Sequence, residues 1–194
     1  CLLECMQERQ VTVDRESIPL PRPFLLLATQ NPIELEGTFP LPEAQLDRFL
    51  MSIRLGYPSE EEEETILHDL QQDDPEEGLQ RLIDPQKIAC LQRNCREIFV
   101  EPSIRRYIIA LCRMTRRHED VRLGVSPRAA LALQAASQAL AASRGRGYVL
   151  PDDVQALAQP VLAHRLLLKT EARLTGRTER NIIEDVLQRL PVPV

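Results

Sequence analysis

The sequence predicts a mainly α-helical protein with a small α/β segment at its start. Three observations point there. Strand and helix signals mix only up to about residue 56, and from Pro58 onward apolar residues recur at helical spacing behind successive capping residues. Aromatic residues are only 4% of the 194-residue chain and Trp is absent, so the core must be built from Leu, Ile, Val and Ala.

Taken in order, Cys1–Glu8 reads as the end of a helix. Val11-Thr12-Val13 and Ile18-Pro19-Leu20 flank the polar stretch Asp14-Arg15-Glu16-Ser17, which predicts a β-hairpin with a four-residue polar loop. Phe24–Ala28 is a continuous apolar run ending at Thr29-Gln30-Asn31, the pattern of a buried parallel-type strand. Pro42–Phe49 predicts a short helix, with Pro42 at its first turn. Met51, Ile53 and Leu55 alternate with Ser52 and Arg54, a period-two strand pattern.

In the second part, Ser59 and Glu62 have the spacing of a capping box, and the acids Glu60–Glu64 suit a solvated helix start running to about Leu70. Gln71–Leu82 reads as a loop. Asp84-Pro85 opens a helix to about Ile98, and Ser103 caps the next, with Ile104, Ile108, Leu111 and Cys112 on one face. Ser126-Pro127 opens a long helix with an inner stripe of Ala129, Leu133, Ala136 and Leu140, ended by Gly145 and Gly147. Pro151 starts another helix, kinked near Pro160, and Thr178–Leu190 is the last. Two units follow, residues 1–56 and residues 57–194.

Charge and cysteine usage narrow the function. A net charge of −5 argues against a general nucleic-acid binder. The basic cluster Arg105, Arg106, Arg113, Arg116 and Arg117 reads as a solvated helix face, although such a cluster can also meet phosphate backbones. No stretch approaches the roughly 20 apolar residues that a membrane-spanning helix needs. Five cysteines without a CxxC pair support neither a zinc site nor a disulfide frame, so reduced thiols and a cytoplasmic location are expected. His68, His118 and His164 share no ligand spacing and read as surface or packing residues, so no metal site is expected.

The stretch Leu25-Leu-Leu-Ala-Thr-Gln-Asn-Pro-Ile-Glu34, followed by Gly37-Thr-Phe-Pro-Leu-Pro-Glu-Ala-Gln-Leu-Asp-Arg-Phe49, carries the chemistry. In open α/β sheets, ligands bind beyond the carboxyl ends of strands. Asn31 stands at such an end, where a side-chain amide orients a water without taking up charge. Arg48 on the following helix presents a guanidinium that stays ionised and binds phosphate oxygens in a fixed fork. Taken alone, Asn31 reads as a strand-end cap and Arg48 as a cation paired with Asp47 or Glu43. A second motif, Gly124-Val-Ser-Pro-Arg-Ala129, puts Arg128 in the first turn of its helix, where a cation opposes the helix dipole and is favoured only beside an anion. Taken alone, that residue reads as a surface Arg against Glu or Asp.

These motifs closely resemble the MoxR family of AAA+ ATPases, as do the flanks Leu2–Val13 and Gly56-Tyr-Pro-Ser59; the resemblance is strong over residues 1–60 and continues to about Leu168. It implies the C-terminal portion of an AAA+ core, two strands plus a hairpin, followed by an all-α lid domain. Asn31 is then similar to the sensor-1 residue, Arg48 to the arginine finger (with Arg54 in reserve), Arg128 to sensor 2, and the hairpin to the pre-sensor-1 insertion. The resemblance further implies a ring, a hexamer, using ATP and Mg2+ at its subunit interfaces to remodel client proteins or assist metal-cofactor insertion, with a von Willebrand factor A domain protein as partner.

The 194 residues contain no G-x-x-x-x-G-K-[ST] loop and no Asp-Glu pair. In the family both lie before the position of Cys1, so no tight binding of ATP by this piece is expected, and its two strands would leave open edges. Two other readings stay open: a helical adaptor that does not depend on nucleotide, and a DNA-translocating AAA+ relative.

Overall fold

A computed structural model describes residues 2–30, 41–69 and 80–193. The helical prediction holds. Helix α1 (Leu2–Glu8) leads into strands β1 (Gln10–Val13) and β2 (Glu16–Pro19), and α2 (Glu43–Leu46) and α3 (Glu60–Asp69) follow. Helices α4 (Pro85–Glu97) and α5 (Pro102–Arg117), strand β3 (Val121–Leu123) and helices α6 (Pro127–Ser143) and α7 (Pro151–Leu162) come next. A 3₁₀ turn (Ala163–Arg165), strand β4 (Leu167–Leu168), and helices α8 (Thr170–Leu174) and α9 (Glu179–Arg189) complete the described chain.

The core lies in the second half. Ile104, Ile108, Leu111 and Cys112 of α5 pack with Ala129, Leu133 and Ala136 of α6, Val154, Ala158 and Val161 of α7, and Ile182, Ile183 and Val186 of α9. Each set follows the 3.6-residue period, and each fully buried Leu, Ile or Val contributes about 1.5–3 kcal/mol. Small residues on α6 let α7 approach closely, so these two helices share the most extensive interface. Leu140, expected in the α6 stripe, is only half-buried; Ala141 takes the innermost place. The Gln138 amide donates to the carbonyls of Arg96 and Ile98 at 3.2 and 2.8 Å, fastening the end of α4 to α6.

Several local expectations are corrected. The hairpin turn is two residues, Asp14 and Arg15, at φ 49° and 73°, with Val13 opposite Glu16. Two successive left-handed residues make a tight turn whose twist matches the strands, so the four-residue loop is not needed. Phe24–Ala28 forms no strand, and Leu25 and Leu27 are 77% and 82% exposed. Met51–Leu55 also forms no strand; the Ser52 amide donates to the Pro160 carbonyl at 2.9 Å. Neither run meets a neighbouring strand among the described residues, so the alternation pattern has no ladder to join. The cap of α5 is Glu101, whose carboxylate accepts the Ser103 amide at 2.6 Å, rather than Ser103 itself. The antiparallel pair β3–β4 and the short α8 carry signals too short to read from sequence.

Other signals transfer directly. The Ser59 amide donates to the Glu62 carboxylate at 2.8 Å, and the Glu62 amide to the Ser59 hydroxyl at 3.3 Å, a complete capping box. Those two bonds hold the Glu62 carboxyl below its ordinary range. Asn31 and most of the loop expected at Gln71–Leu82 lie outside the described residues.

Candidate functional site

A cleft of about 1150 Å³ opens where the segment after α2 meets the helical core. Its walls come from α2, residues 52–54, the β3–α6 loop, the 3₁₀ turn, the end of α8 and the start of α9. Its charge is strongly positive: Arg54, Arg116, Arg122, Arg165, Arg173 and Arg180 line it against Glu43, Asp47 and Glu179. Arg173 and Glu179 neutralise one another at 3.5 Å, whereas Arg54, Arg122 and Arg180 have no carboxylate partner among the described residues.

The β3–α6 loop is shaped by Gly124. A Cβ at this position would lie 2.6 Å from the backbone of Arg116, closer than side chains pack. Glycine therefore lets the loop rest directly on α5, where Arg116 Nε donates to the Val125 carbonyl at 2.8 Å. Val125 is buried, and its amide points at the Thr115 hydroxyl, 3.3 Å away. These contacts anchor the start of α6. Ser126 and Pro127 line the cleft, and Arg128 follows, exposed, in the first turn of α6 with no carboxylate partner among the described residues.

Arg48 follows α2 in a tight turn, its amide bonded to the Gln45 carbonyl at 3.1 Å. It is half-buried, and its Nε and Nη1 are shielded from water without a hydrogen-bond partner. The reserve residue Arg54 is exposed on the cleft wall. Arg54 and the α6 start thus share the cleft, while Arg48 and Arg128 stand outside its lining. Arg105, Arg106, Arg113 and Arg117 lie on the exposed face of α5; Arg116 of the same cluster turns toward the cleft.

Sequence reasoning missed Arg165. It is only 8% exposed, on the turn after α7, and its Nη2 donates to the Phe49 carbonyl at 2.5 Å. Burial lowers its pKa, opposed chiefly by the carboxylate of Asp47. The available signal was an Arg interrupting the apolar run from Val161 to Leu168, since Arg is almost never buried unpaired. His164 beside it is half-buried and faces the Phe49 carbonyl at 3.3 Å; burial, then the Arg165 charge, lowers its pKa. His118 is buried at the end of α5, where its Nδ1 accepts the Asp120 amide at 3.2 Å, so it is a packing residue. His68 is exposed on α3. Among the described residues no group of His, Cys, Asp and Glu could hold a metal ion, and no helix is long and apolar enough to cross a membrane.

Comparison with known proteins matches two stretches of the chain. Residues 1–51 match the family described as ATPase family associated with various cellular activities (AAA), and residues 113–186 match the AAA lid domain. The chain is 45% identical over 193 residues to the uncharacterized protein YeaC of Bacillus subtilis, covering 100% of this chain and 60% of that one. It is 40% identical to Chaperone MoxR1 of Mycobacterium tuberculosis, covering 99% of this chain and 53% of that one. It is 33% identical to Protein MoxR of Paracoccus denitrificans, covering 99% and 62%. A crystal structure of a candidate ATPase from Cytophaga hutchinsonii superposes with a TM-score of 0.92 at 37% identity, covering all of this chain and 61% of that one. The chain therefore spans somewhat more than half the length of the relatives it matches.

Proposed function

The chain belongs to the MoxR family of AAA+ ATPases, and we propose that it forms the sensing and lid part of a ring ATPase that remodels or matures client proteins. In this reading residues 1–56 end the α/β core and residues 57–194 form the lid. The observation that carries it is the start of α6, which opens on a cleft with an excess of guanidinium groups and exposes Arg128 unpaired in its first turn. A cation there opposes the helix dipole, so the arrangement is favoured when an anion lies between them.

The fit to ATP with Mg2+ divides. The unpaired guanidiniums, including the shielded Nε and Nη1 of Arg48, suit phosphate oxygens. The carboxylates that would hold Mg2+ are not grouped among the described residues, so the metal and the β-phosphate need residues outside them. Arg128 would act on the nucleotide of its own subunit, Arg48 on that of the neighbour in a hexameric ring, and Asn31 would orient the attacking water. The Mycobacterium tuberculosis relative is named a chaperone, which supports the client-remodelling reading. A von Willebrand factor A domain partner, and assistance to metal insertion, extend the same proposal.

The test is ATP turnover by the full-length ATPase carrying Arg48→Ala or Arg128→Ala. Loss of a finger arginine lowers kcat by about 10³–10⁵. Wild-type turnover by both variants overturns the assignment.

A further inference from the structure

We infer that Asp47, Ser126 and Arg165 form a latch through which the helical domain sets the position of Arg48; this rests on the reading of Arg48 as the residue presented to a neighbouring subunit's nucleotide.

Both chain neighbours of Arg48 are held by the helical domain. On one side, the Ser126 hydroxyl points at both carboxylate oxygens of Asp47, 3.0 Å from each. Asp47 also faces Arg165 Nε at 3.7 Å, near enough for charge attraction though not for a hydrogen bond. On the other side, the Phe49 carbonyl accepts from Arg165 Nη2 at 2.5 Å, and the Leu50 carbonyl lies 3.5 Å from the same nitrogen. The Ser52 amide continues the seam to the Pro160 carbonyl at 2.9 Å. Arg48 has no partner at Nε or Nη1, so its side chain is placed by the backbone these contacts hold.

The latch is connected to the sensing end of α6. Ser126 is the N-cap residue of that helix, yet its side chain makes no capping bond and turns to Asp47 instead. Arg128 lies two residues later. An anion drawn to Arg128 that shifts the start of α6 must carry Ser126, and with it Asp47 and the turn bearing Arg48. Arg165 resists slippage at the other end, because a buried guanidinium that leaves the Phe49 carbonyl has no water to replace it. The route therefore runs within one subunit, from the anion-sensing helix start to the arginine offered to the next. Asp47, Ser126 and Arg165 are positioning residues and touch no phosphate.

The test uses the full-length assembled ATPase with Ser126→Ala, Asp47→Asn and Ser126→Thr, each alone and combined with Arg48→Ala. A displacement of about 1 Å at such a group costs up to about 100-fold in rate. Ser126→Ala and Asp47→Asn are expected to lower kcat by roughly tenfold or more, leaving the KM for ATP unchanged, while Ser126→Thr keeps the hydroxyl and restores the rate. In the Arg48→Ala background neither is expected to lower kcat further. Full activity of both single variants beside an impaired Arg48→Ala refutes the latch and leaves the finger reading standing. Losses that multiply in the double variants also refute it, because Asp47 and Ser126 would then act independently of Arg48. An unimpaired Arg48→Ala overturns the finger reading and the latch together. Ser126→Ala removes a single hydroxyl, so it decides the matter even where Asp47→Asn does not fold.

Discussion

At the scale of single residues, Asp153 shows how a buried charge is held. It is fully buried at the start of α7, yet it accepts from Arg146 Nη2 and Nη1 at 2.6 and 2.8 Å, from Arg144 Nη1 at 2.9 Å and from the Leu150 amide at 2.9 Å. Burial pushes its pKa up, but the Arg146 bonds and the Leu150 amide outweigh burial and hold it below the ordinary value. A carboxyl depressed in the folded state contributes its full stability above the unfolded value of 3.8 and loses it as pH falls through the lower folded value. Asp153→Ala leaves the Leu150 amide without its acceptor while both arginines still reach solvent, so it is expected to cost about 1–3 kcal/mol at pH 7. The same variant flattens the acid limb of stability against pH, which urea unfolding at a series of pH values measures. Cys112 is the opposite case: burial raises its thiol to about 11, so it behaves as a small apolar core residue.

At the scale of elements, the β1–β2 hairpin carries a local cost. Asp14 and Arg15 both occupy the left-handed region, which penalises a side chain by about 1–2 kcal/mol per residue, less for Asp. The hairpin is retained partly through α1, whose Glu4 carboxylate accepts the Thr12 backbone amide at 3.2 Å and the Gln10 side-chain Nε2 at 3.3 Å and also bonds the Thr12 hydroxyl. Those bonds, the hydroxyl first, lower the Glu4 pKa. Arg15→Gly relieves the turn and is expected to stabilise the hairpin by about 1 kcal/mol. Slower amide exchange at Val13 and Glu16 reports it; faster exchange contradicts the turn assignment. The β3–α6 loop illustrates the reverse case, in which a glycine is needed for close approach to α5 rather than for its φ.

At the scale of the whole molecule, burial is uneven. Among the described residues, those that are buried all lie between Val100 and Val186. Leu25, Leu27, Leu55 and Tyr57 are 77%, 82%, 94% and 93% exposed. Large apolar side chains so exposed are the kind of surface that a protein contact covers. Hydrogen exchange of the 194-residue chain is expected to show the slowest amides in α5, α6, α7 and α9 and rapid exchange over residues 24–28. Strong protection of residues 24–28 in a monomer overturns that picture.

Some features are local and were therefore legible without coordinates. The α5 and α6 stripes follow from helical periodicity, the Ser59–Glu62 box from a three-residue spacing, and the end of α6 from Gly145 at φ 71°. The Asp-Arg-Phe stretch, expected within a helix over Pro42–Phe49 but found in the turn after α2, and the Ser-Pro-Arg helix start were likewise visible as motifs. Tertiary structure alone decided how those motifs meet. Asp47 and Ser126 are 79 residues apart in sequence, and Arg165 reaches the Phe49 carbonyl across 116. Strands behave the same way: the alternation at Met51–Leu55 states which faces are apolar, but a strand exists only where another chain segment supplies its hydrogen bonds. Sequence by itself determined the periodic helices and the identity of the charged groups. Which buried arginine faces which carboxylate was settled by packing, because pairing at that distance leaves no repeat in the order of residues.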